Sequence, residues 1–274
     1  MSAPTSSAAV TAADAPPPPT RTLLQQVPGL LLWGGLILFL GIAFRPVEIG
    51  HVTKLFTQSQ NMQEFGRGFL HPDFTQWKLY VAQMWLTVQI AIWGTFLAVV
   101  IAVPFGLACA RNISPIWLQQ PMRLLMNLLR SVPDLVVGLV FVVAVGLGPF
   151  AGVMALTVNT GGVLAKLFSE AVESIDKGPI EGVRATGANR LQEIIWGVIP
   201  QVAPLWTSYA LYRFESNSRS ATVLGLIGAG GIGQLLFDAL NGFQYPQLSA
   251  IVVVIIVAVT LIDFLSQAMR ARLM

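Results

Sequence analysis

Charged side chains set in apolar stretches are the residues of this chain with the most chemistry to offer. Each costs about 2.5–3.5 kcal/mol at membrane depth on translocon scales, so it persists only with a partner, water or a task. Arg130 and Asp134 stand at i, i+4, as do Glu215 and Arg219, so each pair can neutralise itself across one helical turn. The alternative is a wet pathway or gate to which Arg130, Arg213 or Arg219 draws an anion, with Ser131, Glu215, Asn217 and Ser218 beside them. Arg213 has no acid at i±3 or i±4, so at membrane depth it needs water, another chain or an anion. Asp263, near the end of the last apolar stretch, reads as a capping or pairing residue.

Other chemistries find little support. Gly228, Gly230 and Gly233 match G-x-G-x-x-G in form, but residue 253, where a dinucleotide site needs its acid, is valine. The glycines read instead as close helix packing or a bend. No G-x4-G-K-[ST] loop occurs, so any ATP and magnesium belong to another subunit. His51 and His71 lack cysteine partners and metal-ligand spacing, and the single Cys109 lies in an apolar run where it packs. No Ser–His–Asp set or close carboxylate pair marks a catalytic centre, which argues against an enzyme.

The elements that must position these residues are membrane helices. The 274 residues are 54% hydrophobic and 11% charged, less than half the roughly 25% charge of a soluble domain. Mean hydropathy is +0.68. The expected fold is an all-α membrane protein of about six transmembrane helices, placed near 28–44, 80–110, 122–147, 149–168, 195–217 and 246–269. The stretch 149–168 reads as the least hydrophobic of them. Residues 1–27 read as a disordered cytoplasmic tail, rich in Ala, Ser, Thr and Pro, and 28–274 as the membrane domain. Trp77, Tyr80 and Trp85 suit an interfacial aromatic belt.

Charge sets the orientation. Arg21, Arg111, Arg123, Lys166, Lys177, Arg184, Arg190, Arg270 and Arg272 fall on one side, and Lys54, Arg67, Lys78, Arg213 and Arg219 on the other. Nine against five places both termini in the cytoplasm. The scattered positive charge offers no nucleic-acid footprint. No internal repeat is visible, so a two-fold axis requires a second chain.

Residues 169–200 form the longest cytoplasmic loop. From Leu191 the apolar residues fall at 191, 194, 195, 198 and 199, the stripe of an amphipathic helix, with Arg184, Arg190 and Glu193 on the other face. Gly187 tolerates a helix–turn–helix break, and Pro200 suits a helix start. Such a projecting helix is a handle for a soluble partner.

This stretch resembles the signature E-A-A-x3-G-x9-I-x-L-P of ABC-importer permeases. Glu181, Gly187 and Pro200 match at the family spacing, while Gly182 and Val183 replace the alanines, and Gly197 and Ile199 replace the Ile and Leu. Arg130-Ser-Val-Pro133 and the glycine-rich 220–233 are similar to permeases of the methionine-importer type. Thr87–Gly94 and Tyr212–Arg219 are similar to those of phosphonate importers. The resemblance implies two permease copies as a homodimer in a bacterial inner membrane, two ATPase subunits holding ATP and magnesium, and a periplasmic substrate-binding protein. It also implies a coupling role for Glu181, Arg184, Gly187, Ala188, Asn189 and Arg190, and a phosphonate, phosphite, hypophosphite or phosphate ester as cargo. The rival reading is a proton-coupled secondary anion carrier with Asp134, Glu215 or Asp263 as its proton site.

Overall fold

The computed structural model describes residues 23–44 and 59–272. Residues 1–22, which include most of the expected tail, and His51 and Lys54 lie outside the described residues. The chain divides into a unit ending at Gln63 and a second from Glu64 onward. In the first, α1 (Leu23–Phe44) is apolar apart from Gln25 and Gln26 and begins at Leu23, so the last positions assigned to the tail are helical. The amphipathic α2 (Ser59–Phe69) contains the boundary between the two units.

The second unit is built around α3 (Trp77–Cys109) and α6 (Pro149–Glu173), which lie along one another for most of their length. Small residues make this possible. Ala91, Gly94, Ala98, Ala102 and Gly106 of α3 meet Ala155, Gly161 and Ala165 of α6, all buried. A Cβ at Gly94 would stand 2.7 Å from Leu156, and one at Gly106 would stand 2.8 Å from Phe168. Dispersion contacts between close backbones replace the hydrophobic effect as the cohesive force in lipid.

Around this pair stand α4 (Ile116–Ser131), α5 (Asp134–Val145), α9 (Ile199–Gly225), α10 (Ile232–Asn241) and α11 (Tyr245–Ala271). Phe168 of α6 stacks on Trp206 of α9 with ring centroids 4.6 Å apart, and the Trp206 indole N–H donates to the Phe168 carbonyl. The six stretches read as spans correspond to α1, α3, the α4–α5 pair, α6, α9 and α11. By length and composition α3, α6 and α11 each qualify to cross a membrane among the described residues. The α4–α5 pair qualifies jointly.

Several expectations are corrected here. The stretch 122–147 is not one helix, because α4 and α5 meet at 90°. The bend sits at Val132-Pro133, where proline disfavours a helical conformation for the residue before it. The stretch 149–168 is not the least apolar of the six, since 195–217 carries Arg213, Glu215 and Asn217. Its small and polar residues reflect its place, with 61% of its membrane-length window buried in protein, against 28% for α11. Tyr80 does not join Trp77 and Trp85 in facing outward. It lies almost one turn from Trp77 on the inner side and is 2% exposed, packed with Met84, Ile232 and Leu248.

The glycine run forms both a bend and a close packing. Gly228, Gly230 and Gly231 adopt φ of +85°, +79° and +80°, turning the chain from α9 into α10. A Cβ on Gly233 would lie 1.9 Å from the Thr222 carbonyl, so only glycine fits that crossing.

Candidate functional site

Two regions gather the singled-out residues. The first is a hairpin in the long loop. α7 (Gly178–Ala185) ends at Thr186, Gly187 takes φ +82° to reverse the chain, and Asn189 caps α8 (Arg190–Gln192). The cap is reciprocal, for the Gln192 N–H donates to Asn189 Oδ1 at 3.0 Å and the Asn189 N–H to Gln192 Oε1 at 2.8 Å. Across the hairpin Arg184 grips Glu193 with two bonds, Nε to Oε1 at 2.8 Å and Nη2 to Oε2 at 3.0 Å. The arginine hydrogen bond holds the Glu193 carboxyl below the usual carboxylate range, and Glu193 raises Arg184 in turn.

α8 continues through a π-helical turn (Glu193–Val198) into α9. Pro200 supplies the reason, because it has no N–H for an α-type bond to Trp196, and the Ile199 N–H reaches the Ile194 carbonyl instead. The wider turn re-aims the expected stripe. Val198 is buried against the bundle, but Leu191 and Ile195 are exposed beside Trp196, itself 70% exposed. Glu181 and Gly187 are also exposed, and Ala188 is half-buried. A groove lined by Val183, Gly187, Ala188, Gln192 and Trp196 opens on this side.

The second region lies within the helices. Arg213, Asn217 and Ser220 form an i, i+4, i+7 stripe on α9. Arg213 Nη2 donates to Thr160 Oγ1 at 3.4 Å, Thr160 Oγ1 to Asn217 Oδ1 at 2.9 Å, and Asn217 Nδ2 to Thr95 Oγ1 at 2.8 Å. Thr95 Oγ1 then donates to the Ala91 carbonyl, so the relay ties α9, α6 and α3. Asn217 and Ser218 are fully buried, and Ser218 Oγ donates to the Phe214 carbonyl, so their polar groups are spent within the protein. Arg213 keeps a buried Nε without a partner and no carboxylate within ion-pair distance among the described residues.

The two i, i+4 pairs part company. Glu215–Arg219 forms at 3.1 Å and extends into a network, with Arg219 also on Asp263 at 3.0 Å and Arg270 on Glu215 at 2.9 Å. These bonds join α9 to α11 and give Asp263 its pairing role. Arg130–Asp134 does not form, because the bend between α4 and α5 removes the shared face. Asp134 accepts from Ser220 Oγ at 2.8 Å instead, while Arg130 and Ser131 are exposed at the end of α4. Arg213 and Arg219 also lie within α9, about 18 Å and 9 Å along the helix from its end at Gly225, not in a loop beyond it. Sequence reasoning missed Thr95 and Thr160, whose hydroxyls commonly bond their own helix. The i+4, i+7 continuation from Arg213 marks the α9 side of this network and gave no signal for either threonine.

Residues 102–273 match the family described as binding-protein-dependent transport system inner membrane component. The chain is 42% identical over 204 residues to a phosphite transport system permease protein of Stutzerimonas stutzeri, covering 73% of each chain. It is 63% identical over 117 residues to a putative cryptic phosphonate transport system permease protein of Escherichia coli, covering 43% of this chain and 96% of that one. Among solved structures, an inward-facing methionine ABC transporter chain aligns with TM-score 0.64 and 24% identity over 74% of this chain and 99% of that one, a likeness of fold. The chain belongs to the binding-protein-dependent inner membrane components, the multi-pass permeases of ABC importers.

Proposed function

We propose that this chain is the permease of a bacterial importer for a phosphorus oxyanion, whether phosphonate, phosphite, hypophosphite or phosphate ester. The observation that carries the cargo class is the similarity to a phosphite permease over 73% of the chain. The unpaired Arg213, set among hydroxyls, supports it, since a guanidinium suits an oxyanion. Two copies work as a pair, two ATPase subunits hold ATP and magnesium, and a periplasmic binding protein delivers the cargo. The hairpin 178–193 is the ATPase-docking handle, with Glu181, Arg184, Gly187, Ala188, Asn189 and Arg190 serving the coupling. Leu191 within it and Ile195 and Trp196 just beyond it are exposed and support that reading, because apolar side chains on a projecting element suit a partner surface.

Both termini are placed in the cytoplasm. With Arg213 and Arg219 inside α9, the opposite side retains Arg45, Lys54, Arg67 and Lys78, so the bias becomes nine against four. The proton-carrier reading is weakened, for Glu215 is held by two arginines and Asp263 by Arg219. The test is uptake into proteoliposomes holding the permease with its cognate ATPase and binding protein. Import of phosphonate or phosphite that requires ATP and the binding protein is expected. Import driven by a proton gradient with no ATP would sink the proposal.

A further inference from the structure

The geometry points to Arg190 as a positioning residue that straps the hairpin to the loop between α3 and α4 and hands the hairpin's movement to the helices beyond. Family resemblance alone would have it face the ATPase. In the structure its Nη2 donates inward to the carbonyl of Ile113. Among the described residues this is the only hydrogen bond between the hairpin 178–193 and the loop 110–115.

The surroundings make that bond consequential. A cavity of about 580 Å³, lined by Asn112, Ile113, Ile180, Glu181, Arg190 and Glu193 among others, lies between hairpin and bundle. Ile180 packs on the bundle core at the edge of this gap, and across the gap the Arg190 bond gives hairpin and loop a direct tether. The hairpin is rigid enough to act as one body, braced by the Arg184–Glu193 fork and the Asn189–Gln192 cap. The loop is in turn anchored to α6. Asn112 Nδ2 donates to the Val172 carbonyl at 2.7 Å, and the Arg111 N–H donates to Glu173 Oε1 at 2.7 Å, an oxygen that Arg123 of α4 also binds. Ile113 lies three residues before α4, and α4 leads through the 90° bend to α5, whose Asp134 holds Ser220 of α9. The strap therefore connects the hairpin to the polar stripe by a route of bonds and helices independent of α9 itself.

This inference rests on the proposed reading of the hairpin as the ATPase handle, and its test separates the two. Arg190→Gln and Arg190→Lys permeases are assembled with the cognate ATPase and binding protein in proteoliposomes. Co-purified ATPase, ATP hydrolysed per phosphonate or phosphite imported, and melting temperature are measured. Arg190→Gln should keep its ATPase and its melting temperature yet spend about tenfold more ATP per molecule imported, a ratio within the usual span of coupling free energies. Arg190→Lys, which retains a charged donor, should recover most of the coupling. Asn112→Leu, which frees the loop from α6, should raise the same ratio with Arg190 intact. Normal coupling in Arg190→Gln or in Asn112→Leu would overturn the proposal. So would loss of bound ATPase in Arg190→Gln, since Arg190 would then be a partner contact, or a lysine variant no better than glutamine. Whether the ATPase protects hairpin amides from hydrogen exchange is scored on wild type alone. Absence of that protection removes the docking reading without touching the variants' ATP ratios.

Discussion

Arg213 and Arg219 show how neighbouring arginines on one helix come to differ. Arg219 sits between Glu215 and Asp263, while Arg213 has one long bond to a hydroxyl and a buried Nε left over. Removing Arg219 strands Asp263 and leaves Glu215 with Arg270 alone, and breaking a buried pair costs about 3–5 kcal/mol. Because the Arg219 side chain is 47% exposed, the loss should be nearer 1–2 kcal/mol, read as a melting temperature lowered by several degrees. Arg219→Gln should therefore lower both stability and uptake. Arg213→Gln should lower initial uptake of an anionic phosphorus compound severalfold while the melting curve hardly moves, since no ion pair is lost. An Arg213→Gln permease with wild-type uptake would remove this residue from the anion path.

On the proposed reading, coupling depends on the hairpin. Gly187 at φ +82° can be replaced only with strain, and a bulky residue there also fills the groove beside Ala188 and Trp196. Gly187→Leu, or Glu181→Lys, should abolish stimulation of ATP hydrolysis by loaded binding protein while the helices stay folded. Wild-type stimulation in both would show that the ATPase docks elsewhere. The Arg184–Glu193 fork adds a pH dependence. Glu193 is depressed in the folded hairpin, so its contribution is complete above the ordinary carboxylate range and fades as pH falls through the depressed value. Hydrogen exchange of residues 184–193 should accelerate more than bulk chemistry predicts only on acidification below about pH 4, the ordinary range for a carboxylate. In Arg184→Gln that acid-dependent step should be gone.

For the molecule as a whole, orientation follows from charge and is open to a labelling experiment. Cys109, the single native thiol, is 1% exposed and should stay silent to a membrane-impermeant maleimide. Gln76→Cys, at the exposed start of α3, should label in intact cells with the periplasm open to the reagent. Ala185→Cys, in the exposed hairpin, should label only after the inner membrane is permeabilised. The opposite pattern would invert the topology and place the hairpin out of reach of any ATPase.

Much of this was legible in the chain itself. Composition and long apolar stretches dictate membrane helices, because backbone polar groups in hydrocarbon must bond within their own segment. Local spacing gave the hairpin turn at Gly187, the glycine packing near Gly233 and the Glu215–Arg219 pair, since each depends on residues close in sequence. Relations across the fold were decided only by tertiary structure. The α4–α5 bend replaced the Arg130–Asp134 pair with Asp134–Ser220, joining residues 86 positions apart. Asn217 looked like a pathway donor until Thr95, 122 positions away, and Thr160, 57 away, were seen to occupy its amide. The π-helical turn ahead of Pro200 likewise split one apolar stripe between bundle and exterior. Periodicity records which residues share a helix face, but what that face meets depends on helices brought together from distant parts of the chain.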